Sequence, residues 1–170
     1  MLFLSIAGVA ALAGIVVWLI MRRNKMNNLE KDRRLAAERL LKEDSLISSL
    51  AYTEQNVLMG LRTLIELSWK EEKIERYVFD PAKTVRIGRS PQTNDISVSW
   101  DSISANHCMI FISGNQLCLQ DCGSANGTFV SRGGKIYQVQ PAAVLMEGDT
   151  IIVGELRMNL HIFNFDTAWI

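Results

Sequence analysis

The pattern of hydrophobic and polar positions changes character twice along the chain. From Leu2 to Met21 no residue is charged, and Leu, Ile, Val, Ala and Trp dominate. A helix of that length, at about 1.5 Å per residue, covers roughly 30 Å, the hydrocarbon thickness of a bilayer. This predicts a transmembrane helix over residues 1–22. A cleaved signal peptide would need a basic start, a shorter apolar run and a cleavage site. Here Met1 alone precedes the run, which continues without a break into Arg22-Arg23-Asn24-Lys25. The positive-inside rule then puts everything from Arg22 onward in the cytoplasm, as a single-pass plasma-membrane protein with residues 2–21 against membrane lipid. Ala10 and Gly14 form a small-xxx-small pair, which chance alone supplies in a span rich in Ala and Gly.

From residue 23 to about 74 the composition shifts to Leu, Ala, Glu, Lys and Arg, with no Pro, and no Gly before Gly60. That is helix-forming composition and predicts a helical stalk over 23–74. A three-and-four spacing runs through Leu29, Ala36, Leu40, Ile47, Leu50, Val57, Leu61 and Leu64, but Arg33, Glu43 and Glu54 interrupt it. Two readings stay open: one or two amphipathic helices acting as a spacer, some of whose apolar face packs on the domain or a partner, or a short parallel coiled coil that makes the protein a homodimer.

Beyond Tyr77 the period shortens. Tyr77–Phe79, Thr84–Ile87, Ile96–Trp100, Cys108–Ile112, Gln116–Gln120, Thr128–Val130, Ile136–Val139, Thr150–Val153 and Met158–Phe163 read as short strands. Ser113-Gly-Asn115, Cys122-Gly-Ser124, Arg132-Gly-Gly134 and Glu147-Gly-Asp149 between them are turn chemistries. Many short strands with no long helical pattern among them predict an all-β domain, an antiparallel β-sandwich over 75–165, followed by a tail at 166–170.

Composition narrows the function. The 18 basic and 18 acidic residues cancel, so the balance gives no sign of a nucleic-acid partner, which would gather a basic surplus on one face. The three cysteines, Cys108, Cys118 and Cys122, are an odd number, which fits a reducing compartment better than a disulfide framework. With His107 they lack the tight paired spacing of a zinc site, and neither a phosphate-cradling glycine loop nor a nucleophile elbow is present. The expectation is a protein that is not an enzyme, with no catalytic residue, metal or cofactor.

Three loops carry the candidate chemistry: Arg86-Ile-Gly-Arg-Ser90, Ser104-Ala-Asn-His107 and Asp121-Cys-Gly-Ser-Ala-Asn-Gly-Thr128. In this order, and flanked by Asn94-Asp-Ile96 and by Glu147-Gly-Asp-Thr-Ile-Ile-Val-Gly154, they resemble the forkhead-associated (FHA) family, β-sandwich modules that bind phosphothreonine peptides. The resemblance covers roughly Glu75 to Phe163. A phosphothreonine presents close to two negative charges and three strong acceptor oxygens, so its receptor must offer charge-assisted donors at short range. Arg89 can supply a forked donor set, and Gly88 before it permits close backbone approach.

The family implies that Ser104 gives a hydroxyl to the phosphate, that Asn126 holds the peptide backbone, and that His107, Gly127 and Thr128 support the loops. The histidine braces from inside rather than acting as a base. The chain departs from the family at Ala105, where Arg or another polar residue is common, at Ala125, where Ser or Thr often precedes Asn-Gly, and at Ser131. Each alanine removes a donor, for which backbone amides or Arg132 would have to substitute as secondary contacts.

The resemblance therefore implies an adaptor that recruits a threonine-phosphorylated protein to the inner face of a membrane, in a bacterium and downstream of a Ser/Thr kinase. The alternative it leaves open is a phospho-independent assembly component of a membrane complex such as a secretion apparatus.

Overall fold

The computed structural model describes residues 6–47, 61–71 and 73–166. The chain forms two units, Met1–Ala36 and Ala37–Ile170. Most of the first belongs to α1 (Ile6–Ile47). Between Asn24 and Ile47 the helix contains neither Gly nor Pro, so no residue pays the backbone penalty that ends helices. Side chains from Leu12 to Met21 are exposed, and the guanidinium of Arg22 lies over the Trp18 ring at 5.3 Å.

Among the described residues no helix is long and apolar enough to cross a membrane. This overturns the transmembrane helix and the single-pass plasma-membrane localisation. Side chains are described from Ala11 onward, and the uncharged run from there to Met21 covers about 16 Å, half the thickness of a bilayer's hydrocarbon core. Residues 2–5 of the expected span lie outside the described residues.

The second unit is a two-layer sandwich. One sheet has the order β2 (Ile74–Phe79), β1 (Leu61–Lys70), β11 (Leu156–Asp166), β10 (Thr150–Val153), β7 (Thr128–Arg132), β8 (Lys135–Gln138). The other has the order β4 (Ile96–Ser97), β3 (Val85–Gly88), β5 (Cys108–Ser113), β6 (Gln116–Asp121), β9 (Ala142–Val144). All pairings are antiparallel except β3 with β4, so the second sheet is mixed. Inward side chains such as Ile65, Leu67, Ile87, Ile110, Leu119 and Ile151 are fully buried and fill the space between the layers. Each such side chain contributes on the order of 2 kcal/mol by leaving water.

The helical stalk expected to residue 74 is not what forms. Leu61–Lys70 and Ile74–Phe79 are strands, and β1 sits between β2 and β11 in antiparallel registers of six and eight pairs respectively. The sandwich therefore begins before residue 75. Leu64, Ile65, Glu66 and Leu67 are all buried, so β1 is covered on both faces and loses the alternation that identifies a strand. The seam positions Leu50 and Val57 lie outside the described residues, Leu61 and Leu64 are in β1, and no coiled coil is supported.

On the outer face of the larger sheet, Ala37 and Leu41 of α1 pack against Leu64 and Phe165, flanked by Val78 and Phe163. β11 extends through Asp166, and residues 167–170 of the expected tail lie outside the described residues.

Candidate functional site

The strand registers bring three loops and one turn to a single rim. Ile87 of β3 is paired with Cys108, which is paired with Asp121 of β6. In the other sheet Thr128 is paired with Val153. The chain segments leaving β3, entering β5, joining β6 to β7 and joining β10 to β11 thus share one end of the sandwich.

Hydrogen bonds stitch these segments together. The Arg89 amide donates to the Ser104 carbonyl at 2.9 Å, and the Ser90 amide to the Ala105 carbonyl at 3.2 Å. Asn94 Nδ2 donates to the carbonyls of Ser90 at 2.8 Å and Ala105 at 2.7 Å. The Ala125 amide donates to Ser104 Oγ at 3.0 Å, and Asn126 Nδ2 to the Ser102 carbonyl at 2.9 Å. The Glu155 amide donates to Ser102 Oγ at 3.4 Å.

Gly88 makes the first contact achievable. A Cβ there would stand 2.4 Å from the Ala105 carbonyl oxygen and 2.9 Å from the Asn94 carboxamide. Gly127 turns the third loop with φ +74, a conformation that side chains resist.

His107 is fully buried. Its Nδ1 accepts from the Ser104 amide at 3.1 Å, so Nε2 carries the proton and donates to the Gly127 carbonyl at 3.2 Å. One imidazole thereby spans the second and third loops from below.

Asp121 organises the third loop. Its carboxylate accepts from the amides of Gly123 and Ser124 and from the hydroxyls of Ser124 and Thr128. Burial opposes the charge, but these four donors outweigh it and hold the carboxyl below the ordinary carboxylate range. Asp149, 1 % exposed, is lowered in the same way, with burial outweighed by Arg132 and the Met146 amide.

Both folded-state values lie below the unfolded value of about 3.9. The stability they contribute is present above that pH and is lost as the pH falls through the lower folded values. Denaturant unfolding between pH 7 and pH 2 should therefore show stability falling from about pH 4 downward. Asp121→Asn should flatten that slope and cost about 2 kcal/mol at pH 7. An unchanged slope would remove Asp121 from the account.

The three principal sequence candidates all come to this rim. Arg89 is 49 % exposed in its side chain and has Asp101 Oδ1 3.5 Å from Nη1. Ser104 is half-buried and Asn126 exposed. Ser104 Oγ accepts from Ala125, and its own O–H has no acceptor among the described residues. Asn126 keeps one amide hydrogen and Oδ1. Thr128 is buried beneath the loop, and Ala105 and Ala125 are exposed upon it. An open cleft of about 600 Å³ adjoins Asn126, running between Ser124 and Gln138, Gln140 and Pro141.

Arg132 does not join them. It ends β7, four residues and about 13 Å from Thr128. Its Nε and Nη2 fork onto Asp149 at 2.8 and 2.7 Å, and Nη2 also meets the Val144 carbonyl. Its guanidinium is thus committed to Asp149 and Val144, away from the rim that holds Arg89.

Sequence reasoning missed Asp101 beside Arg89 and Ser102 beneath Asn126. Nothing in their local sequence marks either, whereas Asn94 was marked by Asn94-Asp-Ile96. Cys108 and Cys118 are buried and Cys122 is exposed. Burial pushes the Cys108 thiol far above its usual range.

Residues 85–154 match the FHA domain family model. An FHA domain-containing protein of Arabidopsis thaliana is 31% identical over 88 residues, 52% of this chain and 22% of that one. The glycogen accumulation regulator GarA of Mycobacterium tuberculosis is 32% identical over 83 residues, 49% of this chain and 47% of GarA. The matched region thus spans less than half the length of either relative. Among solved structures, EmbR of Mycobacterium tuberculosis in complex with a low-affinity phosphopeptide superposes with a TM-score of 0.50 at 24% identity, over 58% of this chain and 24% of EmbR. A chain solved in a study of phosphothreonine-dependent FHA domain interactions gives 0.50 at 23% identity, over 58% of this chain and 95% of that one. At those identities the structures show the fold alone. The similarity of this chain to the FHA domain family model is confined to residues 85–154.

Proposed function

We propose that this chain is a phosphopeptide-binding adaptor that recognises phosphothreonine on a partner protein through Arg89, Ser104 and Asn126. The observation that carries the proposal is the hydrogen-bonded rim, which sets a half-exposed guanidinium beside a hydroxyl with a spare proton and a carboxamide with a spare donor and acceptor. Arg89 neutralises and forks onto phosphate oxygens. Ser104, whose lone pair is fixed by the Ala125 amide, turns its O–H outward to a third oxygen. Asn126 holds the peptide backbone, and the neighbouring cleft gives that backbone a path. EmbR, which shares the fold, carries a phosphopeptide, and this favours the same ligand class here.

Titration of the full chain with a phosphothreonine peptide library and its unphosphorylated counterpart tests the reading. Phosphate-dependent binding that weakens as salt rises is expected, because the contacts are charge-assisted and exposed. Equal signals from the two libraries would overturn it. They would leave the phospho-independent packing role, which the bare Ala105 and Ala125 surfaces favour.

A further inference from the structure

We infer that Asp101 makes this site select phosphothreonine peptides carrying a lysine or arginine close to the phosphate, by exchange of partners across the Arg89–Asp101 pair. The inference rests on Arg89 being the phosphate-binding residue.

Asp101 is held in place by its turn. The Ile103 amide donates to the Trp100 carbonyl at 3.0 Å, Ile103 is buried, and the Ser102 carbonyl accepts from Asn126. The Asp101 side chain is fully exposed, and its Oδ1 lies 3.5 Å from Arg89 Nη1. At that distance, and in water, the pair is weak, so a phosphate can take the guanidinium at little cost.

The displaced carboxylate then faces the bound dianion from roughly 6 Å, the sum of two such contacts. Three negative charges would share one guanidinium. The chain supplies no compensating cation on this loop, since the exposed residue following Ser104 is Ala105. Of the other carboxylates at this rim, Asp95 accepts from the Arg86 amide at 2.7 Å and Asp121 holds its own loop, while the exposed Glu155 beside Ser102 adds to the negative charge. The peptide can supply the compensating charge, with a basic side chain meeting Asp101 as the phosphate meets Arg89.

The test uses the full chain and phosphothreonine peptides in which Lys, Ala or Glu is placed in turn at each position within three residues of the phosphate. Lys should be preferred over Ala at one or two positions by about fivefold, and Glu disfavoured by a similar factor, the scale of an exposed charge pair. Asp101→Asn should erase the preference, and Asp101→Lys should reverse it towards Glu. Both variants should melt as the parent does, because the side chain they change is fully exposed.

A parent with no basic preference, or a preference that survives in Asp101→Asn, would overturn the inference while leaving phosphate recognition intact. Failure of the underlying reading looks different, because then no peptide would bind in a phosphate-dependent way.

Discussion

Replacing Arg89 with Ala is expected to lower affinity for a phosphothreonine peptide by about 100-fold or more. The forked guanidinium is positioned to make two charge-assisted hydrogen bonds, each worth roughly 1.5 to 3 kcal/mol. Losing both exceeds the ~2.8 kcal/mol that separates affinities a hundredfold apart. Arg89→Lys keeps the charge but not the planar fork, and should sit about tenfold below the parent. The fold should not notice either change. The side chain is half exposed and meets Asp101 only at 3.5 Å, while the Arg89 amide, which any residue but proline retains, provides the bond to Ser104. Fluorescence anisotropy with a labelled phosphopeptide, alongside thermal melting, separates the two effects. An affinity within a few-fold of the parent in Arg89→Ala would remove this residue from the binding reading.

Gly88→Ala is expected to produce the largest loss of stability, about 3 kcal/mol, at the upper end of what overpacking costs. The added methyl would stand 2.4 Å from the Ala105 carbonyl oxygen, a backbone atom that cannot swing aside like a side chain tip. That carbonyl accepts from both Ser90 and Asn94. Any shift that relieves the clash therefore loosens the bonds that tie the first loop to the second. A fall in melting temperature of about 10 °C or more is the corresponding readout. The Arg89 guanidinium moves with the same backbone, so phosphopeptide affinity should fall as well. A melting curve superimposable on the parent's would show that the loops can absorb the methyl.

The sandwich was legible where strands have one buried face and end in turn residues. β5 and β7 bury alternate positions, Cys108 and Ile110 in one and Thr128 and Val130 in the other, and each ends at a glycine turn, so pattern and turn chemistry agree. β1 was illegible because Leu64 and Phe165 under α1 bury its outer face as Leu67 and Trp69 bury its inner one. A continuous apolar run with Glu and Arg among it matches a helical spacing equally well. β9 escaped because Ala142–Val144 is three residues long, too short for any period to show.

At the site, residues within one loop were legible and pairings between loops were not. Arg89, Ser104, His107 and Asn126 stand in recognisable local strings, but the meeting of Arg89 with Asp101 and of Asn126 with Ser102 depends on how the two sheets bring distant turns together. The position of Arg132 was hidden in the same way. Close to Asn126 in sequence, it is carried by a whole strand to the opposite end of the sheet.

The bonds from Arg89 to Ser104, Ser104 to Ala125 and Asn126 to Ser102 also decide where conformational entropy is spent. Three segments that would otherwise fluctuate independently are immobilised as the sandwich folds, before any ligand arrives. Under the proposed function, capture would then restrict chiefly the visiting peptide, and stiff, extended segments that have little freedom to surrender would gain most from a receptor whose lips are already set.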